Sequence, residues 1–123
     1  MYGAALLKTI NDAGVAVMIL TEGLEDSELL ASRLTRAEVT RQLRLLIQTT
    51  ECLPQELMQG MPEIDWRGLT AAGVALSGRA GPALDDALMF AIRSLVPATL
   101  MWLRVYQQQH PGWFRIVPTV ASH

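Results

Sequence analysis

The chain has 123 residues, half of them apolar and 18% charged, with a net charge of −2 at neutral pH. That length suits one domain with one core, and the charge excludes a general electrostatic attraction to nucleic acid. A single cysteine, Cys52, excludes a disulfide framework and a thiolate metal cluster, and it fits a reducing cytoplasm.

An apolar half is rich for a small monomer, so another chain is expected to cover part of that surface. The N-terminus offers one lysine, Lys8, then Asn11 and Asp12 before the apolar run AGVAVMIL, which is too short to span a bilayer. Helical periodicity predicts a first helix over about 2–22, with Leu6, Ile10, Val17 and Leu20 on one face. Ala13 and Gly14 would allow close approach, and Gly23 would end the helix as a C-cap glycine.

EDSELLAS predicts a short helical segment. Thr35 and Glu38 then fit a capping box for the next long helix, with Leu34 stapled onto Val39. Its expected buried stripe is Val39, Leu43, Leu46, Ile47, Thr50 and Leu53, and Pro54 interrupts it. Residues 54–65 read as an irregular connection. A short helix over about 65–76 follows, broken by Gly78, Gly81 and Pro82.

Pro82 suits the first position of the last long helix, with Asp85 and Asp86 where the helix dipole favours acids. Leu84, Leu88, Ala91, Ile92 and Leu95 carry it to Pro97, which kinks or restarts it. Leu100, Met101, Leu103 and Val105 continue to about Gln109. The apolar run 87–103 resembles a membrane span, but Arg93 and Pro97 sit in its middle, and a central arginine costs ~2.5–3.5 kcal/mol there. It reads as buried protein. The expected fold is all-α, a single-domain up-and-down bundle of four to five helices over 1–109, with 110–123 an extended C-terminal tail.

Several motifs are near misses. GVALSGRA, residues 73–80, spaces two glycines like a phosphate-binding loop, but Arg79 and Ala80 stand where lysine and a hydroxyl belong, and no β-branched strand precedes it. The histidines, His110 and His123, both lie near the C-terminus and form no metal-ligand pair, so no metal or other cofactor is expected. Cys52 has no nearby base and reads as a small buried hydrophobe. Arg41, Arg44 and Gln48 line the polar side of their helix, a row that can hold phosphates but more often is a solvated face. Trp66, Trp102 and Trp113 read as core or interface anchors.

The block TEGLEDSELLASRLTRAEVTRQLRLLIQTTECLPQELMQGMPEIDWRGL resembles the HepT-like branch of the HEPN superfamily. The resemblance runs through Thr21–Leu24, the helix from Thr35, Leu53–Pro54 and Pro62–Arg67, and covers about 10–105. It implies a small all-α protein, a homodimer or higher oligomer, usually paired with a minimal nucleotidyltransferase in a toxin–antitoxin system. It also implies a ribonuclease site built from an R-x4-6-H motif that two protomers bring into a shared cleft, with a nearby tyrosine that the partner modifies.

Counted from Trp66, the family's arginine, histidine and tyrosine positions fall on Gly73, Gly78 and Ala80. The resemblance therefore implies a protein that lacks its family's proton carrier and cation, and that acts by dimerisation and partner binding in the cytoplasm. Arg41, Arg44, Arg67 and Arg79 remain as candidate contacts to RNA or a partner. Two alternatives stay open: an active ribonuclease using non-standard residues, or a purely structural helical oligomer.

Overall fold

The computed structural model describes residues 3–116. Within them the chain is all-α, with no strand. The helices are α1 Gly3–Thr21, α2 Asp26–Ala31, α3 Arg33–Thr50, α4 Gln55–Gln59, α5 Trp66–Leu76, α6 Pro82–Phe90 and α7 Val96–Gln109. A π-helical turn, Ala91–Leu95, joins α6 to α7, and a 3₁₀ turn, Pro111–Phe114, follows α7. Among the described residues, two of the seven helices, α2 and α4, are single short pieces in connections.

α1 and α3 pack along most of their length and form the centre of the bundle. α7 lies against α1, and α5 bridges α3 and α6. Leu7, Ile10, Val17, Leu43, Leu46, Ile92 and Leu103 meet in one core and are fully buried. Each such side chain contributes roughly 1.5–3 kcal/mol on leaving water. Gly14 makes the α1–α7 contact close, because a Cβ there would stand 2.8 Å from Leu100 Cδ2.

The α3 stripe forms as its spacing predicts: Val39, Leu43, Leu46, Ile47, Thr50 and Leu53 are all buried. The α1 face is rotated from its prediction. Leu7 is buried where Leu6 is only half-buried, and Thr21 is buried where Leu20 is half-buried. The buried arc of α1 must serve both α3 and α7, and this favours the row Ala4, Leu7, Ile10, Ala13, Gly14 and Val17. Buried Thr21 satisfies its hydroxyl by donating to the Val17 carbonyl at 2.9 Å.

Three local expectations are corrected. The α3 cap is Ser32, not Thr35, because Ser32 ends α2 and starts α3 in one extended residue. Leu34 is then 83% exposed, so no staple forms, and Glu38 turns to Arg41 and Gln42. The reciprocal cap occurs one helix earlier, where Glu28 Oε1 accepts the Glu25 backbone N–H at 2.8 Å. Cys52 is exposed, not buried: α3 ends at Thr50, and the following turn points the thiol outward with Sγ 3.6 Å from the Gln48 carbonyl oxygen. The stretch after Gln109 is not simply extended, since Trp113 and Phe114 pack on the core from the 3₁₀ turn. The remainder of that tail, 117–123, lies outside the described residues.

Pro97 does not restart the helix, which runs continuously from Pro82 to Gln109. The turn before it widens, and the Val96 N–H donates to the Ala91 carbonyl five residues back. A π-turn makes room for a ring that would otherwise strike the carbonyl four residues earlier. The same region turns Arg93 toward the α1–α2 connection. There Nε donates to Asp26 Oδ1 at 3.1 Å and Nη2 donates to the Leu24 carbonyl at 2.8 Å. Two helical runs, Gly3–Thr21 and Pro82–Gln109, are nonetheless long and apolar enough to cross a membrane by length and composition.

Two anchors place α5. Asp65 caps it, with Oδ1 accepting the Gly68 N–H at 2.8 Å. The half-buried Trp66 donates its indole N–H to the carbonyls of Met58 and Met61, at 3.2 and 3.0 Å. That bond pins the connection after α4, whose Met61 and Ile64 are buried. At the far end Gly81, with φ +153°, takes a backbone shape open to glycine and starts α6 through Pro82. Arg36 on α3 is ion-paired with Asp85 in the first turn of α6.

Candidate functional site: the groove between α3 and α5

A groove of ≈ 390 Å³ runs between α3 and α5. α3 contributes Arg44, Ile47, Gln48 and Glu51; α5 and its end contribute Thr70, Gly73, Val74 and Ser77. The helices come together at the groove floor because Gly73 has no side chain: a Cβ there would lie 2.9 Å from Ile47 Cγ2.

The groove holds one cation and one anion. Arg44 Nη2 donates to the Leu76 carbonyl at 3.0 Å, tying the guanidinium to the carbonyl end of α5. Glu51, the residue that ends α3, lies seven residues further along the chain, about 10.5 Å away along the helix axis. The hydroxyls already donate within their own helix, Thr70 to the Trp66 carbonyl at 3.1 Å and Ser77 to the Gly73 carbonyl at 3.0 Å. The lining thus supplies charge and hydrogen bonds but no imidazole to carry a proton at neutral pH.

The other candidate residues lie elsewhere. Arg41 points along the α3 surface to Glu38, with Nε 2.9 Å from Oε1 and Nη2 2.6 Å from Oε2. Hydrogen bonds from Arg41 first and Gln42 second hold the Glu38 carboxyl down to about 2, and the same pair raises Arg41 above its ordinary value. Arg67 lines a separate hollow built from Pro62–Trp66. Arg79 is exposed in the turn between α5 and α6, beside Gly78 and Ala80. Of the four arginines, only Arg44 lines the groove.

Of the positions that the resemblance assigns to arginine, histidine and tyrosine, Gly73 sits at the groove floor. Gly78 follows the end of α5, where a Cβ would meet the Ala75 carbonyl at 3.2 Å. Ala80 is exposed. His110 stands apart from the groove: its ring stacks on Trp113 with centroids 3.9 Å apart and planes 7° apart. Trp113 in turn lies beside Gly3, Ala4 and Leu57. All three tryptophans are partly buried against the core, as anchors. His123 lies outside the described residues. Among the described residues no three His, Cys, Asp or Glu side chains gather into a metal-binding group.

Glu51, Thr70 and Ser77 were not singled out from the sequence. Their signal is present there as i, i+7 spacing, Arg44 to Glu51 at the end of α3 and Thr70 to Ser77 at the end of α5, but only the α3–α5 contact joins the two rows. Comparison with protein-family models, with curated proteins and with solved structures finds no match for this chain.

Proposed function

We propose that this chain is a HepT-like protein of a toxin–antitoxin-type system, catalytically degenerate, acting in the cytoplasm as a homodimer that binds a partner of the minimal nucleotidyltransferase kind. The observation that carries the reading is the packing of Gly73. The position where the resemblance expects a catalytic arginine is used instead to bring α5 against Ile47, with no space for a Cβ. A side chain there would have to push back the Ile47 methyl, so a glycine at this position serves the helix contact. The groove keeps Arg44, and no histidine lines it.

Labelled RNA incubated with the purified chain tests this. The expected result is no cleavage above that of a buffer control. Specific cleavage that disappears in Arg44→Ala, with the fold intact by circular dichroism, refutes the degenerate reading and favours a ribonuclease with non-standard residues.

A further inference from the structure

A second groove lies on the outside of the bundle, between α1 and α7. The two helices run antiparallel: Leu103 and Gln107 line its near end with Lys8 and Asn11, and Arg93, in the turn before α7, lines its far end with Val15 and Ile19. Leu100 packs over Gly14 between these two hollows, of ≈ 380 and ≈ 370 Å³. On α1 one row serves both, Lys8, Asn11, Val15 and Met18, spaced three and four residues apart. The near end neutralises its own charge, because Lys8 Nζ donates to Asp12 Oδ2 at 2.6 Å. The far end shows hydrocarbon to water, with Ile19 66% and Val15 40% exposed.

The chain itself enters this groove. After the 3₁₀ turn Arg115 is extended, and Phe114 and Ile116 line the near hollow beside Asn11 and Asp12. The sequence then continues VPTVASH over 117–123, outside the described residues. In an extended continuation every second side chain faces the same way, so Pro118 and Val120 share the side of Ile116. The four residues from Ile116 to Val120 span roughly 13 Å. From Asp12 to Ile19 is about 10.5 Å along α1. The apolar positions of the segment thus match the apolar positions of the far hollow in both spacing and reach.

We propose that 117–120 of the same chain occupies the far hollow as an extended strap, with Pro118 over Val15 and Val120 against Ile19. Proline suits its place, since it has no N–H to leave unbonded against an apolar wall. Seating the strap takes the exposed Val15 and Ile19 side chains out of water, which is the driving force for it. The inference is independent of the toxin–antitoxin reading above.

Disulfide trapping in the full chain tests it. In a Cys52→Ser background, Ile19→Cys with Val120→Cys is expected to form an intrachain link whose rate does not depend on protein concentration. That rate is expected to exceed that of Val74→Cys with Val120→Cys by roughly tenfold. Val74 is also exposed, at 73%, but it sits on α5 beside the other groove. Both helical positions are exposed, so the fold survives their replacement, and circular dichroism checks this. Pro118→Asp added to the Ile19–Val120 pair sets a charge against Val15 and is expected to slow the link about tenfold. A tail that is merely tethered nearby would not show that loss.

Equal rates for the two cysteine pairs overturn the seating, and so does a Pro118→Asp chain that links as fast as its parent. Links that form only between two chains, at a rate rising with concentration, overturn it in favour of a second copy's tail in the groove.

Discussion

The packing of Gly73 can be tested without reference to any activity. Glycine inside α5 costs about 1 kcal/mol of helix propensity relative to alanine, so Gly73→Ala on an isolated helix would stabilise. Here the added Cβ would stand 2.9 Å from Ile47 Cγ2, closer than carbon atoms settle. Ile47 is itself buried at 4% exposure, so its methyl has little room to yield. Overpacking of this kind costs ~1–3 kcal/mol. The net expectation is a destabilisation of about 1 kcal/mol.

The informative step is the second background. Ile47→Ala removes the obstructing methyl and costs ~2–5 kcal/mol by itself. In that background the Gly73→Ala methyl meets no clash and regains part of the cavity, so the same substitution is expected to stabilise by about 1 kcal/mol. Urea unfolding of the four chains measures the cycle, with two-state analysis suited to a domain of this size. If Gly73→Ala stabilises equally in both backgrounds, α5 does not press on α3 at this point, and the argument that the glycine serves the helix contact fails.

Two further outcomes follow from local geometry. Trp66→Phe keeps most of the aromatic volume but removes the N–H that serves the Met58 and Met61 carbonyls, so a loss of about 1–2 kcal/mol is expected in thermal or urea unfolding; no loss would show the connection to be held by packing alone. Glu38 has a folded-state value of about 2, below its ordinary one of 4.5, held down by hydrogen bonds from Arg41 and Gln42. Its contribution is therefore present above about pH 4.5 and fades as pH falls toward 2. The stability difference between the unmodified chain and Glu38→Gln should shrink over that window, and added salt should shrink it at neutral pH.

Much of this architecture is legible in the sequence. Helical periodicity placed the α3 stripe residue by residue, and Pro82 with its following acids marked the start of α6, where Asp85 finds Arg36. Periodicity failed where two neighbours compete for one helix. On α1, Leu6 and Leu7 are both apolar, and only the joint demand of α3 and α7 selects Leu7. The cap of α3 departs from that pattern because Thr35 and Glu38 fit a capping box in isolation, while the short connection from α2 puts the cap three residues sooner, at Ser32.

Cys52 and the groove show the same division more sharply. Burial of a small apolar residue near a helix end depends on where that helix stops, and α3 stops at Thr50. Composition, period and capping chemistry act over a few residues, so the sequence by itself determined an all-α chain, the apolar stripes and the turns that separate them. The meeting of Arg44, Glu51, Thr70 and Ser77 in one groove, with Gly73 pressed on Ile47, was decided only by tertiary structure. Contacts between residues twenty or more positions apart depend on how helices cross, and helix crossing is set by the packing of the whole core.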